Sequence, residues 1–75
     1  MQMETIKKLE ILLSHWIEHN REHAGEYEKW AQKVKEESLL DVSQTIKTAA
    51  EVIQKSNVNL QKALNLLQNY KKNQR

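Results

Sequence analysis

Apolar and aromatic residues recur at alternating steps of three and four along almost the whole chain. From Ile6 the series runs through Leu9, Leu13, Trp16, Asn20, His23, Tyr27 and Trp30 to Val34, a heptad pattern held over four repeats. A second series runs from Val42 through Ile46, Ala49, Ile53, Ser56, Leu60, Ala63 and Leu67 to Tyr70. A half-buried strand alternates every second residue, which neither series does. Proline is absent and Gly25 is the single glycine, so almost nothing is present to turn hairpins of strands. The fold class is therefore all-α, with helices over about residues 2–36 and 39–72 in a single domain, 1–75.

The break falls in "KEESLLDVS", Lys35 to Ser43. Ser38 or Asp41 is placed to cap the second helix, and Asp41 is followed by Gln44 at the capping-box offset. Gly25 keeps the phase of the first series and is read as tolerated inside the helix, at about 1 kcal/mol. Two helices of about 34 residues, each about 50 Å long at 1.5 Å per residue, must lie antiparallel when the connection is this short. The product is a two-helix hairpin. Folding about residue 38 brings Trp30 near Ile46 and Ala49, Tyr27 near Ala49, Trp16 near Leu60, and Leu9 near Leu67. Large residues of the first helix thereby meet the smaller Val42, Ala49, Ser56 and Ala63 of the second.

The apolar stripe is wider than one seam. Leu12, Ile17, Ala24 and Ala31 flank it on the first helix, and Ala50, Val52, Leu64 and Leu66 on the second. A stripe that wide needs more than one facing helix. A chain of 75 residues also lies in the size range where a single core contributes little net stability and association commonly helps. The expectation is a homodimer, two hairpins pairing into a four-helix bundle; the competing reading is a monomer covered by another protein partner. Charge suits hairpin pairing. Residues 1–37 carry six Lys or Arg against eight acids, net −2, and residues 38–75 carry six against two, net +4.

Several function classes are excluded as expectations. Without cysteine there are no disulfides, no thiol nucleophile and no thiolate metal ligands. No apolar run approaches a membrane span, and Met1 to Leu13 lacks the apolar core and cleavage site of a secretory leader, which points to a cytoplasmic protein. The face opposite the seam is mixed in charge, so no membrane-surface helix is expected. The basic second half is too dilute for nucleic acid, and "YKKNQR" is read as a solvated helix end where cations favour the dipole. No glycine-rich phosphate loop or Ser-His-acid arrangement is present, so no enzyme is expected.

The distinctive chemistry lies in "SHWIEHNREHAGEYEKW", Ser14 to Trp30. Three histidines stand four residues apart, His15, His19 and His23. At 100° per residue Asn20 falls inside the apolar arc, His23 on its near side, His19 at its edge and His15 outside. The hairpin register sets Ser56 and Asn57 opposite, giving a polar cluster of His19, Asn20, His23, Ser56 and Asn57 that interrupts the seam. Such a layer fixes register and partner choice. Trp16, Tyr27 and Trp30 are read as seam packing.

A second reading of the same stretch is a metal site. Histidines at i and i+4 share one helix face and can share a divalent ion, so His15, His19 and His23, with Glu22 and Glu26 beside them, are candidate ligands for Zn, Ni, Co or Cu. A di-iron bundle is not expected, because the second helix offers only Asp41 and Glu51 as acids and no histidine. Histidines at a bundle seam would also suit a pH switch.

"HWIEHNREHAGEYEKWAQKVKE" together with "AAEVIQKSNVNLQKALNLL" resembles a family of small, uncharacterised prokaryotic proteins and domains carrying H-W-x-x-H-N-x-x-H on a helical hairpin, a domain of unknown function. The likeness covers nearly the whole chain, and its specific part is His15, Trp16, His19, Asn20 and His23. It implies the hairpin fold and the importance of that cluster, and no catalytic residue. The chain departs from the pattern at "EES", Glu36 to Ser38, where a glycine ending the first helix is expected. The functional expectation is a non-enzymatic self-association or interaction module, with a small transition-metal-binding accessory protein as the alternative.

Overall fold

The computed structural model describes residues 3–73, which form two helices, α1 (Met3–Glu36) and α2 (Leu40–Asn73). The expected start of α1 at Gln2 lies outside the described residues. The other three helix ends fall within one residue of the sequence reading. The helices pack along their length as an antiparallel hairpin of 59 × 14 × 12 Å. Among the described residues no helix is long and apolar enough to cross a membrane.

The turn is built without glycine. Ser38 takes a φ of 68°, the left-handed conformation that ends many helices. Its N–H donates to the Lys35 carbonyl at 2.9 Å and the N–H of Leu39 donates to the Val34 carbonyl at 3.0 Å. These are the paired closing bonds of a Schellman turn, with Ser38 where glycine is usual. An L side chain in that conformation costs roughly 1 kcal/mol or more. Ser38→Gly should therefore raise the free energy of unfolding by about 0.5–1 kcal/mol, after allowing for glycine's greater unfolded-state freedom. Urea denaturation measures it, and an unchanged or lowered midpoint would contradict the turn assignment.

Neither residue expected to cap α2 occupies the flanking position. That place falls to Leu39, whose carbonyl accepts the first helical bond from the Ser43 N–H at 2.9 Å. Asp41 lies one position inside the helix, where its carboxylate accepts the Val42 N–H at 2.9 Å. From there it still serves one of the free amides of the first turn and favours the helix dipole.

The seam differs in phase from the one read in the sequence. Ile6, Leu13, Ile17, Ala24 and Ala31 are buried on α1, and Ser43, Ala50 and Leu67 on α2. Trp16, His23 and Trp30, expected in the seam, are exposed on its flank, as are Val42, Ala49, Ser56, Ala63 and Tyr70 of α2. Tyr27 stays half-buried. The physical reason is size. Near the turn the contact is made by Ala24, Ala31, Ser43 and Ala50, and small side chains let two helices approach closely; an indole between them would force them apart. Ser43 uses that closeness, its hydroxyl donating to the Ala31 carbonyl across the seam at 2.7 Å. Toward the open end the seam changes character. Ile6, Leu13 and Leu67 form a hydrophobic cluster there, with Leu9, Leu60 and Leu64 packed against it.

Candidate functional site

Midway along the seam Asn20 and Asn57 meet. The Asn20 side-chain amide donates to the Asn57 side-chain carbonyl at 2.9 Å, and the Asn57 amide donates to the Ile17 backbone carbonyl at 3.0 Å. Both residues are half-buried. Of the five residues expected in a polar cluster, these two pair across the helices, while His19, His23 and Ser56 lie outside on the exposed flank. Among the described residues no buried side-chain polar atom lacks a partner.

A hydrogen bond between two side chains inside an apolar seam is directional, so it discriminates registers where leucines would not. Asn20→Leu strands the Asn57 carbonyl and should cost about 1 kcal/mol, whereas Asn57→Leu removes two bonds and should cost about 1–2 kcal/mol. The double Leu variant leaves nothing stranded and should match or exceed the parent stability. A four-member denaturation cycle tests this; additive losses would mean that the two asparagines act separately.

The three histidines form a ladder on α1. Ring centroids of His15 and His19 are 6.4 Å apart, those of His19 and His23 4.7 Å, and those of His23 and Tyr27 6.2 Å. The expected ligand set does not gather: among the described residues no group of three or more His, Asp or Glu is placed to hold a metal ion. Glu22 and Glu26 are exposed on the outer side of the helix. What the ladder does build is a row of rings. Trp16, His19, His23, Tyr27 and Trp30 run along one flank of α1, and Lys33 rests its ammonium 4.8 Å from the Trp30 ring centre.

The flank of α2 on the same side of the hairpin is mostly small, from Val42 to Ala63, and ends in Tyr70. Gln54 donates to Glu28 at 3.2 Å and Lys71 donates to Glu10 at 3.2 Å, which fixes one side of the seam as the polar side. At 100° per residue Trp16, His23 and Trp30 lie on the other side of α1 from Glu28, and Val42, Ala49, Ser56, Ala63 and Tyr70 on the other side of α2 from Gln54. The two flanks therefore share one face. Leu12 and Leu66 widen it, and its large members are exposed: Trp16 45%, Trp30 48%, Leu66 59% and Tyr70 57%. Sequence reasoning missed Ser43 as a buried seam residue and Lys71 as the partner of Glu10. The signal was present for Ser43, which heads the seven-residue series Ser43, Ala50, Asn57, Leu64 and Lys71 running beside Val42, Ala49, Ser56, Ala63 and Tyr70.

The model of the family described as Domain of unknown function (DUF8180) matches residues 9–67. The chain belongs to this family. The matched span holds both asparagines, the ring row and the turn. An uncharacterized protein of the archaeon Archaeoglobus fulgidus is 34% identical to this DUF8180 chain over 62 residues, covering 83% of this chain and 98% of the relative. The relative is thus hairpin-length almost from end to end. No solved structure matches the chain.

Proposed function

We propose that this DUF8180 hairpin is a non-enzymatic self-association module, in which two copies bury their apolar faces against each other as a four-helix bundle. The observation that carries the reading is the face itself, with both tryptophans nearly half exposed. Its size suits a specific interface: 59 Å of length and 14 Å of width give a footprint of roughly 800 Å², about what each partner contributes to a standard protein interface. Exposed tryptophans, leucines and a tyrosine gathered on one face of this kind mark an interaction surface. A second copy is favoured over a further domain of the same chain because the archaeal relative aligns over 98% of its length with this hairpin. In this reading the Asn20–Asn57 bond sets the register of each hairpin and so presents the ring row at a defined place.

Sedimentation equilibrium over micromolar concentrations tests the proposal. A species near twice the chain mass of 8.9 kDa is expected. A single-chain mass throughout the range would remove it.

A further inference from the structure

We infer that the two copies pair with α1 of each lying against α2 of the other, about a twofold axis parallel to the helices; the inference rests on the self-association reading above. Two hairpins can stack these faces in two symmetric ways. One lays α1 on α1 and α2 on α2, about an axis across the helices. The other lays α1 on α2 twice, about an axis along them.

Shape separates the two. On the face, α1 carries a ridge of rings at a spacing of seven, Trp16, His23 and Trp30, while α2, level with them, carries a trough framed by Val42, Ala49, Ser56 and Ala63; its large members, Leu66 and Tyr70, lie beyond it toward the open end. Ridge on ridge would hold the copies apart and leave trough over trough as a void, which close-packed interfaces avoid. Ridge in trough fills both at one helix spacing of about 8–10 Å.

Register makes the fit specific. Asn20 lies level with Asn57, and Ala31 with Ser43. By that register Trp16 is level with the gap between Ser56 and Ala63, His23 with the gap between Ala49 and Ser56, and Trp30 with the gap between Val42 and Ala49. An axis along the helices preserves level. Each ring therefore enters the corresponding gap of the partner copy, the knob-in-hole geometry of coiled coils. Charge points the same way, since residues 1–37 are net −2 and residues 38–75 net +4. Crosswise stacking sets unlike helices together, and the other arrangement sets like on like.

The absence of cysteine allows single spin labels to read the topology. Glu4→Cys, Glu22→Cys and Glu36→Cys label exposed positions on the outer side of α1, near its start, middle and end. With α1 parallel to its counterpart across the bundle, pulsed dipolar spectroscopy should give one separation of about 30 Å at all three sites, from a diagonal of helices spaced 8–10 Å plus the labels. A short separation at Glu22 with about 50 Å at Glu4 and Glu36, from a rise of 1.5 Å per residue, would overturn the topology while leaving the dimer standing. No dipolar coupling with a monomeric mass would overturn both, and leave the face to a different protein.

Discussion

Trp30→Lys should convert the dimer to monomer while leaving the hairpin folded. Trp30 is 48% exposed within one hairpin, so its replacement opens no cavity in the seam, and lysine is the better helix former. The loss falls on association. A tryptophan buried in an interface typically contributes about 2 kcal/mol, and symmetry removes two, so about 4 kcal/mol or roughly a thousandfold in Kd should go. An ammonium set into an apolar gap of the partner adds a desolvation cost. Sedimentation of parent and variant at equal concentration reads the change, with helicity by circular dichroism as the control. The parent's melting temperature should also rise with concentration and the variant's should not. A variant that sediments as a dimer would place the interface elsewhere.

Ala50→Leu should destabilise the hairpin by about 2 kcal/mol, because extra methylenes forced into a filled contact cost about 1–3 kcal/mol. Ala50 is 1% exposed and sits where the helices approach through Ala24, Ala31 and Ser43. In a chain this small that is a large share of the total stability. The neighbouring change provides the contrast. Ala49 is exposed, so Ala49→Leu should alter hairpin stability by no more than about 0.5 kcal/mol, yet it fills a trough position and should weaken pairing. Measuring unfolding of both changes in the Trp30→Lys background separates hairpin stability from association. Equal losses at the two positions would contradict the observed seam.

These two alanines mark where sequence reading stopped. Heptad spacing locates two helices and their antiparallel pairing, because helix period and chain length leave few alternatives. It does not say which half of a wide apolar stripe meets the neighbouring helix of the same chain. Bulk in the sequence points to Trp16 and Trp30, whereas close approach selects Ala24, Ala31 and Ala50. Asn20 and Asn57 meet under either phase because both lie near the middle of the stripe, level with each other. His23 and Ser56 sit nearer its border, where a shift of one position moves them from seam to surface. The turn's position was legible, but its closing conformation was not. Ser38 carries a conformation that glycine would have advertised.

The uneven seam also governs how the hairpin forms. Contacts near the turn, such as that of Ser43 with Ala31, close short loops and so come at little entropic cost, but alanines and a serine bury little apolar area. The cluster of Ile6, Leu13 and Leu67 buries far more, and it lies at the end of the hairpin farthest from the turn. A chain zipped only halfway from Ser38 therefore has fixed much of its backbone without reaching its main source of stability. Partly zipped species should be sparse, so melting followed by different probes is expected to coincide in one cooperative transition.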